Sequence, residues 1–258
     1  VTLHGGDAYP RLGRGAGAAW NAHNRARAFE GASRLLAVSR YLADVALGAG
    51  ADPERLSVHY QGVDADWWTP APNTQESREE PIVLFVGALS HLKGVDDLAR
   101  ACADLVGRRQ HRLVLVGDGP LEAGLRARAP SHVSFTGRLD REGVRGWMRR
   151  ARVLVLPTKP TEGRQEAAGL VLLEAQACGV PVVTYPTGGT PEMIAPGASL
   201  LTRERSPEAL ARSIDEALAW SEDERADRGA ACRAWVTRER SLRGSVDQLR
   251  ETYADMTR

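Results

Sequence analysis

Short apolar runs and longer amphipathic stretches alternate along most of this chain. The runs are Val1–Leu3, Leu35–Val38, Leu56–His59, Ile82–Val86, Leu113–Val116, Val133–Phe135, Val153–Leu156 and Val180–Thr184. Several are β-branched and unbroken by charge, the pattern of parallel strands buried on both faces. Helical patterns fill the gaps at Ala16–Glu30, Arg40–Ala49, Lys93–Val106, Leu121–Ala129, Arg141–Arg150 and Leu170–Cys178. This alternation predicts an α/β doubly wound fold. Asp52-Pro53-Glu54 and Ser206-Pro207-Glu208 each read as an N-cap followed by Pro at the first helical position. Cys178-Gly179-Val180-Pro181 ends a helix at Gly and starts a strand at once. From Ser206 the strand signals stop and the chain becomes charged and helical.

The stretch 67–81 breaks the pattern. It holds Pro70, Pro72 and Pro81 among Asn73, Thr74, Gln75, Ser77 and four charged residues. Without apolar periodicity, it reads as a linker between domains. The expected organisation is half of a Rossmann-like domain over 1–66, the hinge over 67–81, a complete Rossmann-like domain over 82–225, and helices over 226–258. Val1-Thr2-Leu3-His4 already reads as the end of a strand, and the first methionine is Met148. The first domain is therefore expected to be incomplete.

Composition narrows the function. With 258 residues, 43% of them apolar, the chain can bury a sizeable core. Lys+Arg 34 against Asp+Glu 33 leaves a net charge of +1, which argues against a nucleic-acid binder. Aromatics at 5% argue against a stacking platform for single strands. No apolar run approaches the roughly 20 residues of a membrane span, and no signal segment leads the chain. Cytoplasmic residence is the expectation. Cys102, Cys178 and Cys232 lie far apart and read as buried small hydrophobes rather than as a disulfide or zinc set.

The chemistry concentrates between Glu166 and Val183. Glu166 and Glu174 are separated by seven residues, the first in a loop and the second on a helix starting near Gly169. The amides of Gly169, Leu170 and Val171 lie free at that helix start, where unpaired donors and the helix dipole favour a phosphate. A carboxylate on each side suits a ligand with phosphates in the middle and hydroxyls at both ends, which is the layout of a nucleotide sugar.

Glu, seven residues, Glu, then Ala-x-Ala-Cys-Gly-Val-Pro-Val-Val resembles family 4 of the retaining glycosyltransferases, which have the GT-B fold. Other blocks agree in order: Thr2-Leu3-His4-Gly5, Ala37-Val38-Ser39, Val58-His59-Tyr60-Gln61-Gly62-Val63-Asp64, Phe85-Val86-Gly87 with Lys93-Gly94, Leu113 to Pro120, and Val133 to Leu139. The resemblance implies GT-B architecture, two Rossmann-like doubly wound domains with the N-terminal one incomplete. It implies retaining, metal-independent transfer of a hexose from a nucleotide-diphosphate sugar to a hydroxyl acceptor, a glycan or lipid-linked glycan. No cofactor is implied beyond that co-substrate. The wording of the blocks from His4 to Asp7 and from Val58 to Asp64 leans toward bacterial cell-surface polysaccharide synthesis. Peripheral membrane contact would come through the absent N-terminal half.

The resemblance also assigns roles. Glu166 would touch the donor sugar near the reacting carbon, with Glu162 a nearby competitor at the wrong spacing. Glu174 would hold the ribose. Gly169, Leu170 and Val171 would present amides to sugar and phosphate. Lys93 would neutralise the diphosphate, and Gly87 would let the backbone approach it. Gly137, Arg138 and Leu139 would line the base pocket, and His4 would contact the transferred sugar. Asp118-Gly119-Pro120 reads mainly as a turn, and Trp67-Trp68 as hinge packing. One departure stands out: the family's Gly-Arg-Leu is Gly87-Ala88-Leu89 here. That substitution removes a charge-assisted contact worth ~1.5–3 kcal/mol. Arg164 and His91 are the candidates to compensate. A nucleotide-sugar-binding module without transfer activity and a nucleotide-sugar epimerase on the same fold are the alternatives.

Overall fold

The computed structural model describes residues 1–5, 8–9, 16–72, 80–161 and 163–256. Glu162, Asp7 and the centre of the linker, 73–79, lie outside the described residues. Two parallel sheets form. The first has the order β1 (Thr2–Leu3), β2 (Leu35–Ala37), β3 (Leu56–Val58), with α1 (Ala16–Gly31) and α2 (Arg40–Gly48) as its crossovers. The second takes strands β4 (Ile82–Val86), β5 (Arg112–Val116), β6 (Val133–Gly137), β7 (Val153–Leu156), β8 (Val182–Thr184) and β9 (Leu200–Leu201). Its spatial order is β6-β5-β4-β7-β8-β9, the doubly wound arrangement, with the topological switch between β4 and β7. Ligands bind at the carboxyl ends of such strands.

The continuous apolar runs are explained by burial on both faces. Val83, Leu84, Phe85, Leu113, Val114, Leu115, Val153, Leu154 and Val155 are all fully buried. Helices α3 (Val95–Leu105), α4 (Glu122–Arg126), α5 (Arg141–Met148) and α6 (Leu170–Ala177) cross over between strands. Helix α7 (Pro207–Ala219) follows β9, and Ser206 caps it as expected, accepting from the Ala209 amide at 3.1 Å. Then α8 (Glu222–Glu239) packs on α6, and α9 (Leu242–Met256) lies against the first unit. The Ser245 hydroxyl donates to the Tyr60 carbonyl at 3.0 Å, and Val63 forms a parallel bridge with Ser241.

Two expectations need correction, and one strand is added. Asp52-Pro53-Glu54 opens no helix. The Asp52 carboxylate accepts from the Glu54 amide at 2.9 Å in a turn, and β3 begins at Leu56. The same residues serve either device, and here the next strand leaves no room for a helix. Strand β9 is an addition, since two residues are too short to leave a periodic signal. Lys93 lies before α3 rather than at its start. Gly94 holds the N-cap position at φ 69, where a Cβ would come within 1.8 Å of the Pro157 carbonyl oxygen. The three cysteines are free and buried, as the sequence reading has them.

Candidate active site

A cavity of about 560 Å³ opens over the switch point, between the two sheets. The second unit supplies Gly87 from the end of β4 and Lys93 from the turn before α3. It also supplies Glu166 from the loop after β7, and Gly169, Leu170, Val171 and Glu174 from α6. The first unit supplies His4, just after β1, with Val38 and Gln61. Leu139, Arg141 and Val144 close the far side with Trp68.

Lys93 and Glu166 form a direct ion pair, both side chains mostly buried. Two sets of contacts fix them. Lys159 reaches back from the β7 loop: its ammonium donates to Asp97 at 2.7 Å and to Asp96 at 2.9 Å, and its amide donates to the Leu92 carbonyl at 2.8 Å. Tyr185 donates to the other Asp97 oxygen at 3.1 Å, so this buried carboxylate meets two donors. The turn carrying Lys93 is thereby tied to the loop carrying Glu166. The backbone of that loop is in turn held by the Gly189 amide on the Glu166 carbonyl (2.9 Å) and the Ser39 hydroxyl on the Ala167 carbonyl (2.6 Å).

Gly169 caps α6 in the left-handed region at φ 79, with no side-chain cap. The first amides of the helix have no intrahelical acceptor, so they face the cavity as anion donors. One turn further, Glu174 sits half-buried. Burial pushes its carboxyl up to about 7, with the Arg141 charge pulling the other way. Arg141 starts α5 and lies 3.9 Å from the Trp67 ring, where Arg145 also stacks at 4.0 Å. His4 is exposed, its Nδ1 3.2 Å from the Gln61 amide nitrogen.

Nine of the singled-out residues therefore line one cavity: His4, Gly87, Lys93, Leu139, Glu166, Gly169, Leu170, Val171 and Glu174. Gly137 and Arg138 do not. Gly137 accepts from the Gly117 amide at 2.9 Å, and the Arg138 side chain is 81% exposed, 3.9 Å from Asp118. Neither compensating cation lines the cavity: His91 pairs with Asp96 and Arg164 is exposed. Among the lining residues that the sequence reading left out of the site are Arg141, which carries a charge, and Trp68, which is aromatic. Arg141 carried no signal beyond a charge at a helix start, whereas the Trp67-Trp68 pair was visible but assigned to packing. Among the described residues no three of His, Cys, Asp or Glu stand together as metal ligands do.

A six-stranded doubly wound sheet with an open helix N-terminus at its switch point places the chain among the α/β proteins that bind ligands there. A family model described as glycosyl transferases group 1 matches residues 80–219, and the chain belongs to that family. The GDP-mannose-dependent monoacylated alpha-(1-6)-phosphatidylinositol monomannoside mannosyltransferase of Corynebacterium glutamicum is 32% identical over 69% of this chain and 50% of its own length. The D-inositol 3-phosphate glycosyltransferase 2 of Catenulispora acidiphila is 36% identical over 58% of this chain and 39% of its own length. The chain thus spans about half, or less, of these curated relatives. Among solved structures, Anabaena HepE in complex with UDP and glucose superposes with a TM-score of 0.81, at 22% identity. The match covers 98% of this chain and 70% of that one. The fold expected from the sequence, α/β of the GT-B type with two Rossmann-like units, is the fold observed, and the first unit is, among the described residues, a three-stranded parallel sheet. Among the described residues no helix is long and apolar enough to cross a membrane.

Proposed function

We propose that this chain carries the donor site of a retaining, metal-independent glycosyltransferase that moves a hexose from a nucleotide-diphosphate sugar to a hydroxyl acceptor. The observation that carries the reading is the convergence of Lys93, Glu166, the α6 N-terminus and Glu174 on one cavity at the switch point. In this reading Glu174 holds the ribose hydroxyls, and the diphosphate lies between Lys93 and the amides of Gly169, Leu170 and Val171. Glu166, released from Lys93 by the incoming anion, accepts from the sugar hydroxyls. His4 contacts the sugar from the opposite wall. The bond from the anomeric carbon to the diphosphate oxygen breaks, and a bond to the acceptor oxygen forms on the same face. The acceptor's proton passes to the leaving diphosphate. Preorganised positive charge at the leaving group supplies the larger share of the rate. The positive charge comes from Lys93 and the helix terminus, which is why the reading needs no metal. The acceptor is a glycan or lipid-linked glycan of the cell surface, met on the cytoplasmic side of the membrane.

The test is calorimetric titration with UDP, GDP and ADP, beside Glu174→Ala. GDP and UDP come first, because the Corynebacterium relative is named for GDP-mannose and HepE was solved with UDP. One diphosphate should bind, and more weakly to the variant. A folded chain that binds none of them refutes the donor site. A second reading, sugar-nucleotide binding without transfer, is favoured by Ala88. Formation of a glycoside by the whole protein, retained in anomeric configuration and insensitive to EDTA, separates the two.

A further inference from the structure

The two units are joined behind the cavity by a polar contact outside the donor site. Glu192 lies in a short helical turn, Thr190–Met193, after β8 in the second unit. Its carboxylate crosses to the first unit and accepts from the Arg40 amide at 2.8 Å and the Tyr41 amide at 3.0 Å. These are the first two amides of α2, which have no intrahelical acceptor. Ser39, the helix's own cap, accepts from the Leu42 amide at 3.2 Å. The α2 N-terminus is therefore capped jointly by one local and one foreign side chain. Tyr60, after β3, donates its hydroxyl to the same carboxylate at 2.8 Å. Arg240 stacks on the Tyr60 ring at 3.8 Å and donates to the Glu192 carbonyl at 3.2 Å. Ser39 adds its bond to the Ala167 carbonyl, one residue from Glu166.

We infer that Glu192 is a positioning residue, a clasp that sets the offset of the first unit, with His4, Val38 and Gln61, from Glu166 and the α6 terminus. The geometry favours this over plain surface pairing for two reasons. All three donors to the carboxylate come from one unit and the carboxylate from the other. The helix dipole of α2 also points its positive end at the incoming charge. Breaking the clasp frees the wall that carries His4 and leaves the Lys93, α6 and Glu174 side intact. The consequence for ligands rests on the donor reading above; the clasp itself does not.

The experiment uses the whole 258-residue chain. Spin labels at Arg27→Cys on α1 and Glu216→Cys on α7 report the distance between units, since both positions are exposed and the native cysteines are buried. Glu192→Ala should broaden and lengthen the distance distribution, and Tyr60→Phe, a milder change, should do so less. Affinity for the nucleoside diphosphate should stay within about twofold. Affinity for the matching nucleotide sugar should fall at least fivefold, because the sugar loses its second wall. An unchanged distance distribution in folded Glu192→Ala overturns the clasp. Equal weakening of both ligands overturns its role in placing the His4 wall. If the wild-type chain binds neither ligand, the donor reading fails, and the distances still decide the clasp. Should Glu192→Ala not fold, Tyr60→Phe and Glu192→Gln give the same readout.

Discussion

The two units solve the same folding problem with different margins. In the six-stranded unit the four central strands are buried on both faces, and three of the four crossover helices, α3, α5 and α6, bury residues against the sheet. In the three-stranded unit β3 is only half-buried, α1 exposes most of its surface with Trp20 at 67%, and α9 beside it has no buried residue. The contrast bears on function. The half of the cavity proposed to bind the anion is built on the well-packed sheet, and the Ser39 hydroxyl of the first unit braces its loop at the Ala167 carbonyl. The half with His4 stands on a thin layer held by individual polar contacts to the other unit.

A core truncation in each unit tests that contrast most severely. Phe85→Ala empties a fully buried position beneath the switch point and should cost about 3–5 kcal/mol in a denaturant titration. Diphosphate binding should disappear with it. Leu35→Ala, equally buried in the small sheet, should cost about 2–5 kcal/mol while diphosphate affinity stays within twofold. If Leu35→Ala abolishes binding, the donor half is not self-supporting and the comparison collapses.

The next effect concerns Lys93. Lys93→Ala removes a charge-assisted contact of about 1.5–3 kcal/mol and should weaken diphosphate binding by roughly 10- to 150-fold. Stability should change little, because Glu166 is not sealed from solvent and regains water. Circular dichroism and calorimetry on the same sample read both. A loss under threefold would mean that the diphosphate does not lie against Lys93.

Glu174 gives a pH signature of intermediate size. Its carboxyl sits near 7 in the folded chain against 4.5 as the ordinary value, because burial disfavours the charge. The folded state thus holds a proton that the unfolded state has released. Its contribution makes stability fall as pH rises from about 4.5 to about 7, and the penalty is fully present above that. Ribose hydroxyls donate to the carboxylate, so binding favours the charged form. Affinity for a nucleotide sugar, whose phosphates carry no proton titrating near neutrality, should rise with pH through about 7. Protons should be released on binding between pH 6 and 7, detected in buffers of different ionisation enthalpy. Glu174→Gln should flatten both curves; a wild-type curve already flat would separate Glu174 from the ribose.

The difference between the units also governs what the sequence discloses. Strands β4, β5 and β7 are legible because burial on both faces leaves unbroken apolar runs. The Glu166–Glu174 segment is legible because a loop, a helix cap and two carboxylates fall within a few residues of each other. Glu192 escapes because its partners Arg40, Tyr41 and Tyr60 lie more than 130 residues away in sequence. Nothing local distinguishes it from a solvated glutamate. Arg141 escapes because the aromatic it stacks on, Trp67, comes from the hinge. Asp52-Pro53-Glu54 misleads because turn and helix start share one local code, which only the position of β3 resolves. Contacts within an element are written in its own residues, whereas contacts between units are not.

The smallest effect probes Ala88, where the resemblance leads one to expect an arginine. Ala88 is exposed and lies between Gly87, at the end of β4, and the turn that carries Lys93. An arginine restored there would meet the diphosphate in a largely solvated setting, where a charge pair is worth about 0.2–1 kcal/mol. Ala88→Arg should therefore tighten diphosphate binding by no more than about fivefold. The gain should shrink at 0.5 M salt, because screening acts on exposed charges first. A gain of a hundredfold would mean that the arginine is drawn into a buried site and that this chain's anion half is incomplete without it. No gain at all would mean that Lys93 and the α6 terminus already neutralise the ligand, and the well-packed unit binds its anion without the lost charge.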